Sequence, residues 1–360
     1  MSSDPLPKAR RTGKATVHDV GRLAGVSGRT VSRVINGEPS ISPGTLERVK
    51  AAMATLEFEP NMAARSLRSA RSFSLCLLTA HISNFYYAEV IRGLSRACSA
   101  RDRRLIIQEC SIQQAMRAPA GLLKSLNTDG CVLLPPLCDA APLLDALDDV
   151  GLSYVRIAPA ADPGRSPAVF SDDEAGVRDL VRHLWDLGHR RFGHIAGPPG
   201  HYATLARSRS FTASLLEAGA EPADIAEVGM RSVDDSPEES RRLGRTLAYA
   251  GGLALDSLLA RPRPPTAIFA FSDELAIGAV ARAQHLGLSV PGDIAIAGFD
   301  DSDIGAMIHP ALTTIRPPLA KMMDEAVDRL VAGSAGRPIF RHPVELRVGP
   351  STDPRFHPEP

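Results

Sequence analysis

A short run near the amino end combines hydroxyl and guanidinium side chains at helical spacing. It begins with Ser27 and Arg29 and continues with Thr30, Ser32 and Arg33. Such groups donate hydrogen bonds to phosphate oxygens and to base edges alike. Any one of these side chains alone would be an ordinary solvated helix face. As a set they are suited to contact a nucleic acid.

Three histidines and two acidic runs are the other groups that could do chemistry. His183, His189 and His194 are spaced across a helix, a turn and a strand, so we interpret them as structural or surface residues and not as metal ligands. The acids within 172–174 and 300–303 could bind a divalent cation, but acids that cap helices are the better interpretation. The chain has no P-loop, G-x-S-x-G or H-E-x-x-H motif. We therefore expect no catalytic residue, no metal and no cofactor.

Two short helices must position the basic run. Thr16 and Asp19 form a capping pattern before apolar residues at helical spacing, and Gly25 ends this first helix. Ser27 can cap a second helix, and a third amphipathic helix is predicted over residues 43–56. Two helices joined across a glycine turn indicate a helix-turn-helix, whose second helix enters the major groove of DNA.

The charge of the chain is divided between two unlike parts. The 360 residues contain 41 Lys and Arg and 41 Asp and Glu, so the formal net charge is zero. Residues 1–72 hold twelve of the basic and six of the acidic residues, a net charge of +6, and the rest of the chain carries −6. Such an asymmetry points to a nucleic-acid or membrane partner for the basic part.

The composition excludes several classes of protein. The hydrophobic fraction of 44% and the charged fraction of 23% are those of a globular chain and not of a disordered or fibrous one. There is no apolar run of about 18 residues and no secretory signal pattern. The five cysteines are odd in number and never spaced C-x-x-C, so we expect buried free thiols. A cytoplasmic location with no membrane partner follows.

Beyond residue 72, apolar strands alternate with amphipathic helices in two series. This alternation indicates parallel doubly wound sheets, and two series indicate two lobes. Ligands of such sheets bind outside the carboxyl ends of the strands, so we expect a site in the cleft between the lobes. The predicted strands begin near residues 73, 104, 131, 154, 192, 267 and 294.

The run from Ala15 to Gly37, ATVHDVGRLAGVSGRTVSRVING, resembles the DNA-binding head of the lactose-repressor (LacI/GalR) family of bacterial transcription regulators. Later segments, among them GHRR from Gly188, SDELA from Ser272 and GFDD from Gly298, are similar to the effector module of that family, itself like periplasmic sugar-binding proteins. The resemblance implies a small all-α helix-turn-helix head and an α/β body of two lobes with parallel doubly wound sheets. It covers nearly the whole chain.

The resemblance also implies which residues contact DNA. Gly28 and Arg29 match the two positions that carry most of the base discrimination, and Gly28 has no side chain. We therefore expect Arg29 to dominate the direct readout of bases. Its guanidinium should donate hydrogen bonds to a guanine, a contact that contributes about 1–3 kcal/mol of discrimination. Leu67, in a predicted hinge helix, is expected to wedge into the minor groove. The full set of expected DNA contacts is Thr16, His18, Ser27, Gly28, Arg29, Thr30, Ser32, Arg33, Asn36, Asn61, Ala64, Leu67 and Arg68.

Effector-binding residues are carried over in the same way, and all of them follow the ends of predicted strands. Aromatic rings stack on sugars or bases, and charged side chains bind hydroxyls. Ala158 and Leu134 stand where members of the family often have polar residues, which indicates a less polar pocket on that lobe. The expected effector contacts are Tyr86, Tyr87, Arg207, Ser272, Asp273 and Asp300.

The predicted protein is a dimeric repressor of sugar uptake or catabolism genes, controlled by a small molecule, with a palindromic operator as its DNA partner. The proline-rich carboxyl end cannot build the helical zipper by which some family members form tetramers. The alternatives are a soluble sugar-binding receptor without DNA function and a sugar-processing enzyme.

The expected parts of the chain are a tail at 1–14, a head at 15–60, a hinge at 61–72, a body at 73–350 and a tail at 351–360. Within the body, the first lobe is expected at about 73–165 and 316–345, and the second at about 166–315 and 346–350.

Overall fold

In the computed structural model the chain divides between Ser72 and Phe73 into two units. The structure describes residues 15–35, 40–58, 72–80, 82, 85–229, 247–333, 336–353 and 355. Within these ranges no helix is long and apolar enough to cross a membrane.

The amino-terminal unit is built from the helices α1 (Val17–Ala24), α2 (Gly28–Ile35) and α3 (Pro43–Thr55). Val20 of α1, Val31 of α2 and Val49 of α3 are each fully buried and pack in one cluster. Each comes from the apolar stripe of its helix, so the predicted amphipathic pattern forms a shared core.

The first lobe of the larger unit is a sheet of six parallel strands in the order β11-β5-β4-β3-β1-β2. Strand β1, which lies between β3 and β2, is buried throughout, because Leu75 and Leu77 face one helical layer while Cys76 and Leu78 face the other. The strands are β1 (Ser74–Thr79), β2 (Arg104–Glu109), β3 (Cys131–Leu133), β4 (Tyr154–Ile157), β5 (Ala168–Ser171) and β11 (Ile339–His342). The helices are α4 (Phe85–Ser99), α5 (Ile112–Arg117), α6 (Pro119–Ser125), α7 (Ala141–Asp149) and α13 (Leu319–Ala332).

The second lobe is a parallel four-stranded sheet in the order β7-β6-β8-β9. Phe269 of β8 packs on one helical layer and Ile268 on the other, so this sheet is also covered on both faces. The strands are β6 (Phe192–Ala196), β7 (Ile225–Gly229), β8 (Ala267–Ala270) and β9 (Ala295–Ala297). The helices are α8 (Asp173–Asp186), α9 (Tyr202–Glu217), α10 (Leu247–Leu259), α11 (Asp273–His285) and α12 (Asp303–Met307). Two further strands, β10 (Thr314–Arg316) and β12 (Glu345–Arg347), pair antiparallel.

The structure moves two boundaries that we expected from sequence. Strand β5 pairs with both β4 and β11, so the first lobe continues through Ser171 and does not end near residue 165. Ser351 and Thr352 are buried, and the Ser351 hydroxyl donates a hydrogen bond to the Ile296 carbonyl (2.6 Å). The packed body therefore extends past residue 350, because these hydroxyls tie the chain to the second sheet.

Candidate functional site

Helix α1 begins and ends as its sequence predicts, and the turn that follows it is tight. The Thr16 hydroxyl accepts a hydrogen bond from the Asp19 amide (3.3 Å), and the Asp19 carboxylate accepts one from the Thr16 amide (3.0 Å). Gly25 has a φ of 66°, a left-handed conformation that ends α1. A Cβ at Gly21 would lie 2.8 Å from the Val26 carbonyl oxygen, so only glycine allows this close approach of helix and turn.

The start of α2 presents the side chains that the sequence singled out. The Ser27 hydroxyl accepts a hydrogen bond from the Thr30 amide (3.1 Å) and so caps the helix. Arg29 and His18 are exposed, and the His18 ring lies beside Gly28, whose built Cβ would be 3.4 Å from Nδ1. The absence of a side chain at Gly28 therefore leaves the His18 ring beside the helix start, where backbone N–H groups favour anions.

Farther along α2, the predicted contact residues are half-buried. Arg33 donates a hydrogen bond from Nη2 to the Ser40 hydroxyl, which ties the side chain to the start of the next segment. Thr30 and Ser32 lie on the same helix and are also half-buried. The remaining predicted DNA contacts fall outside the described residues, and they are Asn36, Asn61, Ala64, Leu67 and Arg68.

In the body, Arg207 of α9 is the most constrained residue of the predicted effector site. Its Nε donates to an Asp173 carboxylate oxygen (2.7 Å) and its Nη1 to the Phe271 carbonyl (2.6 Å). The guanidinium carbon lies 3.4 Å from the ring centroid of Phe299 and 4.5 Å from that of Phe271. The charge is thus neutralised by one carboxylate and held between two aromatic faces.

Asp300 follows β9 and has a φ of 110°, a conformation that an aspartate rarely adopts. Burial raises the pKa of its carboxyl well above the ordinary value, while the guanidinium of Arg207 acts in the opposite direction. Within the described part of the chain, this carboxylate accepts no hydrogen bond. It is therefore a half-buried acid to which no described residue donates, and a hydroxyl group is a chemically suitable donor for it.

The two tyrosines at the start of α4, Tyr86 and Tyr87, differ in their burial and in the charges near their hydroxyls. Tyr87 is buried and donates a hydrogen bond to the Pro135 carbonyl (3.3 Å), and burial raises its pKa to about 12. Tyr86 is half-buried, and burial raises the pKa of its hydroxyl, with a further increase from the charge of Asp300. The charge of Arg207 lowers the same pKa. Tyr86 of the first lobe therefore lies within electrostatic range of Arg207 and Asp300 of the second.

Ser272 and Asp273 are buried, and their polar atoms bind the protein. The Ser272 hydroxyl caps α11, accepting from the Leu275 amide (3.4 Å). One Asp273 oxygen accepts from the Ser302 amide (2.7 Å), and the other accepts from the Thr314 hydroxyl (2.6 Å). Burial raises the pKa of Asp273 to about 6, although these hydrogen bonds oppose the shift. Asp273 thus fixes the loop that carries Asp300, and both oxygens of its carboxylate are used by described residues.

Sequence reasoning missed the partners of Arg207. From sequence, Asp173 is one of three loop acids that are expected to cap a helix. In the structure Asp172 caps the helix, because its carboxylate accepts a hydrogen bond from the Ala175 amide (3.3 Å). The aromatic residues Phe271 and Phe299 directly follow β8 and precede Asp300, so their position at strand ends was the available signal.

The three histidines are packed into the second lobe in separate places. His183 is hydrogen-bonded to Thr352 (2.8 Å) and His189 to Thr266 (3.0 Å). His194 contacts the Phe269 carbonyl through Nδ1 (2.9 Å) and stacks on that ring, and burial lowers its pKa to about 4. No group of three or more potential metal ligands occurs among the residues that the structure describes.

The chain is similar to known proteins over nearly all of its length. Residues 16–61 match the bacterial regulatory proteins of the lacI family, and residues 181–355 match a periplasmic binding protein-like domain. The HTH-type transcriptional regulator CelR of Thermobifida fusca is 31% identical over 351 residues, which cover 96% of this chain and 95% of CelR. The ribose operon repressor of Escherichia coli (strain K12) is 29% identical over 326 residues, which cover 88% of this chain and 92% of the repressor.

A solved structure of a transcriptional regulator CelR-cellobiose complex has the same fold, with a TM-score of 0.67 at 29% identity. It covers 94% of this chain and is itself covered to 99%. The predicted fold class and family are therefore confirmed. Because the match to CelR reaches 31% identity over 96% of this chain, the chain belongs to the LacI family of bacterial regulatory proteins, which are DNA-binding transcription regulators and not enzymes.

Proposed function

We propose that this protein is a ligand-responsive repressor that binds a palindromic operator through its head and a small molecule, a sugar or sugar derivative, through the cleft of its body. The single observation that carries the proposal is the joint presence of the capped helix-turn-helix with an exposed Arg29 and the inter-lobe group of Tyr86, Arg207 and Asp300. The regulated genes would be those of sugar uptake or catabolism.

On the DNA side, Arg29 reads a base, and Thr16, Ser27, Thr30, Ser32 and Arg33 contact the backbone. His18 and Gly28 support this proposal because the exposed His18 ring lies beside the start of α2, where backbone N–H groups favour a phosphate. The contacts from Asn36, Asn61, Ala64, Leu67 and Arg68 are part of the same proposal. The net charge of +6 in residues 1–72 is consistent with it, since phosphate neutralisation drives such binding.

The DNA-binding proposal is tested by the variant Arg29→Ala. Arg29→Ala should lose about 1–3 kcal/mol of discrimination at one base pair of each half-site. The matched control Arg182→Ala removes an exposed arginine from the body and should leave DNA affinity unchanged. An equal loss for every sequence would make Arg29 a phosphate contact, and an affinity that does not fall as salt rises would contradict DNA binding by the head.

On the effector side, Tyr86 and Asp300 contact the ligand, Arg207 donates to its hydroxyls, and Tyr87, Ser272 and Asp273 hold these groups in place. The proposal of a sugar is supported by the cellobiose complex of the similar regulator CelR and by the ribose operon repressor. A polyhydroxylated ligand supplies the donors that the Asp300 carboxylate lacks among the described residues.

A thermal-shift screen of a ligand library tests the effector site. A compound that binds the folded protein raises the melting temperature by mass action, and Asp300→Ala should abolish that rise for the best compound. Asp149→Ala, at an exposed acid of the first lobe, should leave it intact. If Asp300→Ala responds like the unmodified protein, the site assignment is wrong.

The protein is proposed to act as a dimer in the cytoplasm. One small head offers few contacts, whereas two heads related by two-fold symmetry match a palindrome. Ligand binding would change the angle between the lobes and thereby the operator affinity, by a coupling free energy of about 1–3 kcal/mol.

A further inference from the structure

Three side chains connect the two lobes at one edge of the body. Phe170 of β5 and Arg341 of β11 belong to the first lobe, and Tyr202 of α9 belongs to the second. Arg341 donates from Nη1 to the Tyr202 hydroxyl (3.0 Å). The rings of Phe170 and Tyr202 pack edge to face, with centroids 4.8 Å apart and an interplanar angle of 70°. A polar and an aromatic contact thus act together between the lobes.

Arg341 also lies over both rings. Its guanidinium carbon is 5.2 Å from the Phe170 centroid and 5.8 Å from the Tyr202 centroid, within the range of cation–π attraction. The acids Asp172 and Glu174, at the start of α8 in the second lobe, add electrostatic attraction. Arg341 thus interacts with Tyr202, Asp172 and Glu174 of the second lobe, and only its contact with the Phe170 ring lies within the first lobe.

The first-lobe half of this contact is anchored in the sheet by its backbone, and the Arg341 side chain is exposed. Arg341 and Phe170 are paired in register on adjacent parallel strands, and Phe170 is itself buried. Both residues stand shortly before the chain crosses to the second lobe, where the Asp172 amide donates to the His342 carbonyl (2.8 Å). The contact therefore lies beside the segments about which the lobes can rotate.

The second-lobe half is connected to the effector site. Tyr202 is the first residue of α9, and Arg207 lies five residues later on the same helix, about 7.5 Å along its axis. A rotation that separates Tyr202 from Arg341 must also move Arg207 and its Asp173 partner relative to Tyr86 of the first lobe.

We propose that Arg341 and Tyr202 form an inter-lobe clasp that holds the lobes in the observed orientation and thereby positions Arg207 opposite Tyr86. Arg341 and Tyr202 are positioning residues in this proposal and not ligand contacts. The existence of the clasp depends only on the body, whereas its influence on the effector response rests on the proposed function.

The orientation of the lobes can be measured in the full chain without any ligand or DNA. Val150→Cys, after α7 of the first lobe, and Glu221→Cys, before β7 of the second, place spin labels at exposed positions of the two lobes. The five native cysteines are all buried and are not expected to react. Pulsed electron paramagnetic resonance then gives the distribution of distances between the two labels.

The clasp predicts a separate population with a different distance when Tyr202→Phe or Arg341→Ala is introduced. Loss of the charge-assisted hydrogen bond should shift the ratio of clasped to unclasped molecules by about tenfold. The double variant should shift it no further than Arg341→Ala alone, because both substitutions remove the same bond. Arg347→Ala, which removes an exposed arginine paired with Glu345, is the matched control and should leave the distribution unchanged.

Two outcomes decide between the clasp and its alternative. If the distributions of Tyr202→Phe and of Arg341→Ala coincide with that of the unmodified pair of labels, the clasp is wrong. A lower melting temperature of Arg341→Ala with an unchanged distribution would also contradict it, since that is the result of a purely structural residue. Tyr202→Phe keeps the aromatic packing and so remains informative even if Arg341→Ala unfolds. Failure of the proposed function would instead appear as absent ligand and DNA binding, with the distance shift retained.

Discussion

At the level of single residues, the ion pair of Arg207 with Asp173 is a buried pair of charges within the predicted effector site. Both side chains are buried, with 7% and 3% of their surfaces exposed, and the guanidinium is also bound by a carbonyl. Breaking a buried pair by removing one partner leaves an uncompensated charge, whereas exposed pairs contribute little.

Replacement of Arg207 with Met should therefore lower the free energy of unfolding by about 3–5 kcal/mol, as measured by urea denaturation. The matched control is Arg182→Met, which breaks an ion pair with Asp179 whose side chains are 70% and 53% exposed, and it should change stability by at most about 0.5 kcal/mol. Equal effects of the two substitutions would mean that the Asp173 charge is not buried in solution.

Asp300 gives the protein a pH-dependent stability. Its folded-state pKa is raised by burial, so between the ordinary pKa and the raised one the folded protein holds a proton that the unfolded chain has lost. The contribution of Asp300 to stability must then fall as pH rises through that window. Asp300→Asn should match the unmodified protein below about pH 4 and become progressively more stable than it toward neutral pH.

Thermal unfolding of both proteins across this pH range checks the prediction for Asp300. Asp149→Asn, at an exposed position, serves as the control and should show no such divergence. The prediction fails if the two melting curves of Asp300→Asn and the unmodified protein stay parallel at every pH. A gain in stability together with a loss of ligand response would identify Asp300 as a functional acid kept at the expense of stability.

At the level of elements, the crossing of α10 and α11 depends on glycine. A Cβ at Gly251 would lie 2.0 Å from the Leu275 carbonyl oxygen, and one at Gly278 would lie 1.7 Å from the Ala248 carbonyl oxygen. The two helices therefore approach backbone to backbone. The neighbouring Gly252 is different, because its nearest contact would be an ordinary 3.4 Å from the Arg282 Cβ.

Gly251→Ala should destabilise the protein by about 3 kcal/mol or more, since the helices would have to separate. Gly252→Ala makes the same chemical change one position later and should be neutral or stabilising by up to about 1 kcal/mol through helix propensity. Urea denaturation of the two variants measures the difference. Similar stabilities would show that the close helix crossing does not exist in solution.

The elements that the sequence predicted correctly are those with strong local signals. The helices of the head have a capping box, a left-handed glycine and an apolar stripe, all within a few residues. Strand β5, which follows a proline-containing loop, was not predicted from the sequence. Its strand conformation is set by pairing with β4 and β11, and β11 is more than 160 residues away in the chain.

For the whole molecule, the division of charge agrees with the division of structure. The contact boundary falls between Ser72 and Phe73, where the part with +6 ends and the part with −6 begins. A basic head and an acidic body keep DNA contacts with the head, because like charge repels the body from phosphates.

Two heads on one dimer should make binding depend on both half-sites. Duplexes selected from a random library should contain a palindrome, and scrambling one half should weaken binding by roughly 10²- to 10⁴-fold in fluorescence anisotropy. The companion control is a duplex in which both half-sites are intact and only the spacing between them is changed. It should weaken binding through geometry alone. Equal affinity for a single half-site would contradict the dimer.

The sequence by itself determined the head, the alternation of strands and helices, the family and the positions of Tyr86, Arg207 and Asp300, because these depend on short-range patterns. Only the tertiary structure decided how those side chains are used. It paired Arg207 with Asp173, turned Asp273 inward to hold a loop, and brought Arg341 to Tyr202, which lies 139 positions earlier in the chain. The physical reason is that hydrogen bonds, desolvation and charge pairing depend on distance in space, and residues far apart in the chain supply the partners.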